Sequence, residues 1–289
     1  MNEIPTSMQE QIDKAAVLVE ALPYMQGFRG KTFLIKVGGS AMENQDLVRK
    51  LMRDIVFMEV AGINPVLVHG GGKAISKAMR ESGLEAKFIN GQRVTDEKSI
   101  GIVEKTLSRE VNPRLVKMIN DFGGKAIGLS GRDVFSAERV TELGCVGKVA
   151  RCETQIIRAC VASENVPVVS PVGSETGTGL PLNINADLAA SALASALKPD
   201  KLIYLSDVLG IMRDPAQPES LINSITSAET EQLIAEGVIT GGMIPKVHSA
   251  TEALEAGVEK VHLIDGRIPH SLLLEVFTKG GIGTQIINN

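Results

Sequence analysis

The chain has 289 residues, 44% apolar and 22% charged, which is enough for a packed core in one large domain or two lobes. Its 34 acidic against 30 Lys and Arg residues give a net charge of −4 and a pI near 5.7, which argues against a nucleic-acid carrier resting on excess cation. No apolar run approaches the roughly 20 residues of a membrane span, the acidic start (Glu3, Glu10, Asp13) is unlike a signal peptide, and Cys145, Cys152 and Cys160 lack disulfide or zinc spacing, so the expectation is a soluble cytoplasmic protein.

Residues 1–28 read as an appended helix, with Ser7 and Glu10 as a capping box, Ile12, Ala15, Ala16 and Val19 on one face, and Pro23 as the stop. That apolar stripe needs a partner surface, either its own domain or a second subunit. From residue 32, strands are expected at 32–37, 65–69, 125–129, 166–170, 201–205, 260–264 and 284–287. Between them, helices are expected at 46–60, 73–82, 97–120, 154–163, 187–197, 227–235, 245–256 and 270–278. Such alternation predicts an α/β fold with a mainly parallel open sheet covered on both faces. Residues 138–151 read as a hairpin turning at Leu143-Gly144, and the Gly/Ser/Thr-rich stretch 173–179 as a junction between lobes.

Ligands of an open α/β sheet bind beyond the carboxyl ends of its strands, so the segments after each strand carry the chemistry. Lys36-Val37-Gly38-Gly39-Ser40 follows the first strand, and His69-Gly70-Gly71-Gly72 follows the second and opens into a helix. One glycine loop alone would merely make a tight turn; two at successive strand ends, one at a helix N-terminus, point to a phosphate. A P-loop is absent, because Met25 stands at the required glycine before Gly30-Lys31-Thr32, and no G-x-G-x-x-G occurs. Lys36 interrupts an apolar strand, and Lys246 sits at a helix start, where a cation is unfavourable unless an anion binds. Asp187 could be an ordinary first-turn acid, Asp207 after Ser206 a turn cap, and Arg93 a carboxylate fork. The histidines His69, His248, His262 and His270 have no metal-ligand spacing, so no metal site is expected.

Six segments together resemble the amino acid kinase family: K-V-G-G-S at 36–40, V-H-G-G-G-K at 68–73, N-G-Q-R-V-T at 90–95, L-N-I-N-A-D at 182–187, L-S-D-V-L-G at 205–210 and G-G-M-I-P-K at 241–246. Their combination is similar to the branch that phosphorylates N-acetyl-L-glutamate in arginine biosynthesis. Val37 and Ser40 depart from that branch without removing a charge or a required glycine. The resemblance implies a three-layer sandwich and transfer of phosphate from ATP to the γ-carboxylate, with Mg2+ carried by the nucleotide. It implies that Lys36 and Lys246 stabilise the transferring charge while Asp187 orients both. By the same resemblance Gly38, Gly39, Gly71 and Gly72 line the phosphoryl path, and Arg93 and Asn183 hold the acceptor. Ser206, Asp207, Gly241, Gly242 and Met243 would belong to the nucleotide side, with an acceptor lobe over 29–180 and a nucleotide lobe over 181–289.

Two competing expectations are an amino acid kinase acting on free glutamate and a non-catalytic nucleotide or arginine sensor. A carboxylate nucleophile with a pKa of about 4.3 is ionised at neutral pH and needs no general base, which fits a chain without a His or Cys catalytic constellation. The N-terminal helix and the segment from His270 further resemble arginine-inhibited members of the family. They imply a homo-oligomer, dimers joined into a ring-like hexamer, and an L-arginine site at Tyr24, His270, Glu275, Gly281 and Gly283.

Overall fold

Continuous apolar runs make the central strands. Alternate residues of each run face opposite sides of the sheet, and both sides are covered. The computed structural model describes residues 6–89 and 91–288, without the side chains of Thr6, Ser7 and Ser40. A long helix α1 (Thr6–Phe28) leads into β1 (Thr32–Val37), α2 (Gln45–Val60), β2 (Asn64–His69) and α3 (Gly72–Glu81). A small hairpin of β3 (Lys87–Ile89) and β4 (Gln92–Val94) precedes α4 (Ile100–Glu104), a π-helical stretch (Lys105–Val111) and α5 (Asn112–Asp121). Then come β5 (Ala126–Leu129), β6 (Phe135–Arg139), β7 (Gly147–Cys152), α6 (Thr154–Ala162), β8 (Val166–Val169), β9 (Val172–Glu175) and β10 (Pro181–Asn183). The rest is α7 (Ala186–Leu197), β11 (Lys201–Ser206), β12 (Ser224–Thr226), α8 (Ser227–Ala235), α9 (Met243–Glu255), β13 (Lys260–Asp265), α10 (Ser271–Phe277) and β14 (Thr284–Ile287).

One eight-stranded sheet runs β12-β14-β13-β11-β1-β2-β8-β5, parallel except between β13 and β14. Leu34, Val66, Val68, Leu202 and Tyr204 face one layer, with α3, α4, α6, α7 and α9 packed over them. Phe33, Ile35, Leu67, Ile203 and Leu205 face the other, under α2, α5 and α10. This is the three-layer α/β arrangement expected. A second sheet, β10-β9-β6-β7, joins the first layer through Phe135, Ala137 and Leu182. No described helix is long and apolar enough to cross a membrane.

Several expectations need correction. Pro23 does not end α1, which runs on to Phe28. Tyr24, Met25 and Phe28 pack on the core, and that burial offsets the hydrogen bond the proline cannot donate. The capping box read at Ser7 involves a side chain outside the described residues. The helix expected over 97–120 starts only at Ile100, because Asp96 and Ser99 bond to each other as a turn: Ser99 N–H donates to Asp96 Oδ1 at 2.8 Å and Asp96 N–H to Ser99 Oγ at 2.9 Å. It is also interrupted by the π-helical stretch, which ends where Pro113 occupies the first turn of α5 and its missing N–H costs nothing. The stretch 173–179 is no linker: residues 172–175 are β9, paired antiparallel with β10, and the glycines form the turn between them.

Leu34 is wholly buried in the middle of β1. Leu34→Ala is expected to cost about 2–5 kcal/mol, read as a lower urea midpoint with an unchanged slope. A loss under about 1 kcal/mol would show that this part of the core can close around the missing atoms.

Candidate active site

The chain passes from β1 to β2 on one side, while β11 lies against the other side of β1. This reversal of strand order opens a crevice at the carboxyl ends of β1, β2 and β11. Lys36, the first glycine loop, the second glycine loop and Ser206-Asp207 therefore meet there, although up to 171 positions separate them in the sequence.

At the centre is a half-buried carboxylate with one oxygen out of reach of water. Asp187 lies in the first turn of α7, whose N-cap Asn185 accepts hydrogen bonds from the N–H groups of Asp187 (2.8 Å) and Leu188 (3.3 Å). Its Oδ2 accepts a hydrogen bond from Lys246 Nζ at 2.6 Å, and its Oδ1 forms an ion pair with Lys36 Nζ at 2.8 Å that lacks hydrogen-bond directionality. Burial pushes the Asp187 carboxyl up, but the two ammonium groups outweigh it and hold it at about 2. Lys36 is only 6% exposed, so it is not the edge lysine that composition would favour. A Cβ on Gly38 would collide with the Lys36 ammonium, and one on Gly39 (φ +69°) with the Asp207 carboxylate. These two glycines are what let the charged groups close in on the loop.

Two cavities flank this array. One, of about 210 Å³, is lined by Lys36, Gly38, Gly71, Gly72, Arg93, Asn183 and Asp187. Arg93 is 7% exposed. Its NH2 donates to Gly72 O (2.7 Å) and Ser76 Oγ (2.8 Å), and its guanidinium lies 4.8 Å from the Phe88 ring centroid. Asn183 Nδ2 donates to Thr95 Oγ1 at 3.0 Å. The other cavity, of about 380 Å³, is lined by Ser206, Asp207, Gly242, Met243 and Lys246. Gly241 (φ +55°) turns the chain just before it. Lys36 and Gly39 line both cavities. The motif that carries Arg93 begins at Asn90, which lies outside the described residues.

The second group of expected residues lies elsewhere. Glu275 is neither solvated nor open for a guanidinium alone: its side chain is 5% exposed. Its Oε1 accepts from His262 Nδ1 (2.6 Å) and its Oε2 from the N–H groups of Ile282 (2.7 Å) and Gly283 (3.0 Å). A Cβ on Gly281 would press on the same carboxylate at 2.7 Å. His270 (φ +60°) instead bonds through Nδ1 to Asp54 Oδ1 at 2.6 Å. Tyr24 is on α1, which packs against α10. Sequence reasoning missed three buried ionisable groups here. Burial raises the Asp54 carboxyl to about 6, and burial with neighbouring Lys260 lowers the Lys201 ammonium to about 8. His262, lowered by burial, lies between Lys201 (3.1 Å) and Glu275. For His262 the available signal was an imidazole inside the apolar run Val261–Ile264, the same kind that singled out Lys36; Asp54, next to Arg53, and Lys201, next to Asp200, carry no such signal.

The model of the amino acid kinase family matches residues 31–265. The acetylglutamate kinase of Akkermansia muciniphila is 58% identical over 96% of this chain and 96% of its own length. Among solved structures, N-acetylglutamate synthase from Neisseria gonorrhoeae complexed with coenzyme A and N-acetyl-glutamate is similar at a TM-score of 0.84 and 27% identity, covering 95% of this chain. The chain spans 63% of that synthase's length. The same synthase complexed with coenzyme A and L-arginine gives a TM-score of 0.80 at 25% identity, with 65% of its length spanned.

Because Asp187 ionises more readily folded (about 2) than unfolded (3.8), the unfolded chain binds the extra proton between those values. Its stabilisation is complete above about pH 5 and is lost as the pH falls through 4 towards 2, amounting to about 2 kcal/mol. Asp187→Asn should flatten that acid limb in urea titrations at pH 2–5. An unchanged limb would mean that the carboxylate gains nothing from the two lysines.

Proposed function

The chain belongs to the amino acid kinase family, and we propose that its two cavities are the acceptor and nucleotide halves of one site that phosphorylates N-acetyl-L-glutamate with ATP, a step of arginine biosynthesis. An oxygen of the γ-carboxylate attacks the γ-phosphorus of ATP. The new P–O bond forms as the bond to ADP breaks, giving N-acetyl-L-glutamyl 5-phosphate and ADP. The carrying observation is that Lys36, held by Asp187 together with Lys246, lines both cavities and so stands where they meet.

The carboxylate is already ionised, so what the protein supplies is position and positive charge. Lys36 faces the transferring group from the acceptor side and Lys246 from the nucleotide side. Asp187 keeps both ammonium groups in place. The backbone of Gly38, Gly39, Gly71 and Gly72 donates to phosphoryl and acceptor oxygens. Arg93 takes the α-carboxylate of the acceptor, beside Asn183, while Ser206, Asp207, Gly241, Gly242 and Met243 bed the nucleotide. Asp187 is already neutralised by two lysines, and no trio of carboxylate, imidazole or thiol ligands occurs among the described residues. That donor set suits Mg2+ held by the nucleotide's phosphates and water, where it would neutralise phosphate charge. The acceptor half is assigned to residues 29–180 and the nucleotide half to 181–289, with Asn183 and Asp187 reaching back into the acceptor cavity. The cytoplasm, which supplies ATP, is the compartment that suits this reaction.

Regulation by L-arginine and assembly into a ring-like hexamer extend the reading. Along α1, Ile12, Ala15, Ala16 and Val19 are all exposed, as are Met8 and Leu22 on the same side. The same helix of another subunit would cover that stripe and join dimers into a hexamer. An effector guanidinium at Glu275 would share the carboxylate with His262 and the amides near Gly281 and Gly283, in reach of α1 at Tyr24 and of His270. The arginine-bound synthase, of the same fold, supports this reading. By linkage, arginine that weakens acetylglutamate binding must itself bind less tightly once acetylglutamate is present.

Trapping the product with hydroxylamine should show turnover with acetylglutamate well above that with free glutamate; equal turnover would refute the acceptor. Lys246→Ala is expected to lower kcat by roughly 100-fold or more, and Arg93→Ala to raise KM for acetylglutamate with that for ATP nearly unchanged. Deleting residues 1–26 should give active dimers with greatly weakened arginine inhibition. A truncated hexamer that kept full sensitivity would contradict this arrangement.

A further inference from the structure

His69 ends β2, is wholly buried, and has no place in the phosphoryl-transfer scheme above. Its Nδ1 lies 2.9 Å from Gly70 O, and its Nε2 lies 3.2 Å from Asn112 Nδ2. Asn112 Nδ2 also donates to Val168 O at 2.8 Å. A carbonyl oxygen can only accept, so the ring proton must be on Nδ1, and Nε2 then accepts from the amide. The amide's second hydrogen goes to Val168. Every proton in this chain of contacts has a place. Burial lowers the imidazole to about 4, so the ring stays neutral near pH 7 and keeps this arrangement.

The consequence lies one bond further on. The peptide between Gly70 and Gly71 is trans and planar, so its C=O and N–H point in opposite directions. Gly70 N–H is already engaged with Val37 O at 2.7 Å, and Gly71 O accepts from Ile75 N–H at 2.9 Å. With Gly70 O turned back to the buried ring, Gly71 N–H is turned outward to the cavity that Gly70, Gly71 and Gly72 line. That N–H donates to no acceptor among the described residues. A loop of three successive glycines has no side chain to fix its peptide planes, and without the ring this plane could rotate.

We infer that His69, itself held by Asn112, is a positioning residue for phosphoryl transfer: it locks the Gly70–Gly71 peptide so that Gly71 N–H is aimed at the transferring group before any ligand arrives. The inference deepens the functional reading above and rests on it. A preset donor needs no reorganisation as charge develops, so its contribution falls on the transition state rather than on substrate binding. The π-helical stretch serves the same end. It delivers Leu107 against Gly71, where a Cβ would meet Leu107 Cδ2 at 2.6 Å, and it places Asn112 beside the ring. The side-chain amide of Asn112 has space because residue 128, facing it on β5, is a glycine.

The two ring nitrogens can be tested separately. In His69→Asn the amide nitrogen can replace Nδ1 and keep the bond to Gly70 O. In His69→Gln the amide oxygen can take the place of Nε2 and keep only the hydrogen bond accepted from Asn112 Nδ2. Wild-type turnover of acetylglutamate tests the functional reading by itself, and the ratio of each variant to wild type tests this one. His69→Gln is expected to lose about 10–100-fold in kcat with KM for ATP within about twofold, and His69→Asn to recover most of the loss. Affinity for ADP–aluminium fluoride with acetylglutamate, a mimic of the transferring phosphoryl, should fall with kcat in His69→Gln while affinity for ATP alone does not. Equal kcat in both folded variants, whether wild-type or reduced, overturns the proposal. Should neither variant fold, Gly128→Ala, which displaces Asn112 and leaves the ring in place, is expected to lower kcat about 3–10-fold; an unchanged kcat there also overturns it.

Discussion

One half-buried carboxylate shared by two ammonium groups sets the terms for the rest of this protein. Lys36 is buried and Asp187 and Lys246 are partly withdrawn from water, which costs free energy that their mutual attraction offsets only with close geometry. The geometry is close, at 2.6 and 2.8 Å, and the N-terminal end of α7 adds favourable partial charge at Asp187. Even so, three charges leave a net positive site.

That requirement explains the surrounding backbone. The lysines come from opposite halves of the chain, one on a central strand and one on a helix after β12, so the array forms only when both halves pack on the same sheet. Glycines stand where side chains would push the charges apart: Gly38 against Lys36, Gly39 against Asp207, Gly71 against Leu107. The same economy of space governs the second glycine loop, whose peptide planes are set by a buried imidazole behind it rather than by its own side chains.

A second buried charged group, Lys201–His262–Glu275, involves the opposite end of β11. Lys201 begins the strand whose last residue, Ser206, borders the cavity that Lys246 also lines, roughly 17 Å away along the strand. The Lys201 ammonium also lies 5.2 Å from the Phe28 ring centroid, at the end of α1. This central strand thus runs from the N-terminal helix and the Glu275 region to the cavity that Ser206 and Lys246 line.

The sequence by itself determined the sheet-and-helix alternation, the position of every strand in the large sheet except β12, and the loops that hold Lys36, Gly38, Gly39, Gly71, Gly72, Asp187 and Lys246. It could do so because continuous apolar runs and glycines at strand ends are local signals. A lysine inside such a run is legible for the same reason. Only the tertiary structure decided that Asp187 bridges the two lysines, since that depends on a strand order no local pattern encodes. It also decided that Glu275 is buried against His262, that Pro23 sits inside a helix held by packing, that 173–179 holds the end of β9 and the turn into β10, and that His69 has a partner. For Pro23 and His69 the outcome rests on contacts between residues far apart in the chain; for Glu275 and 173–179 it rests on pairing with nearby segments, and in all of them burial and pairing outweigh local propensity.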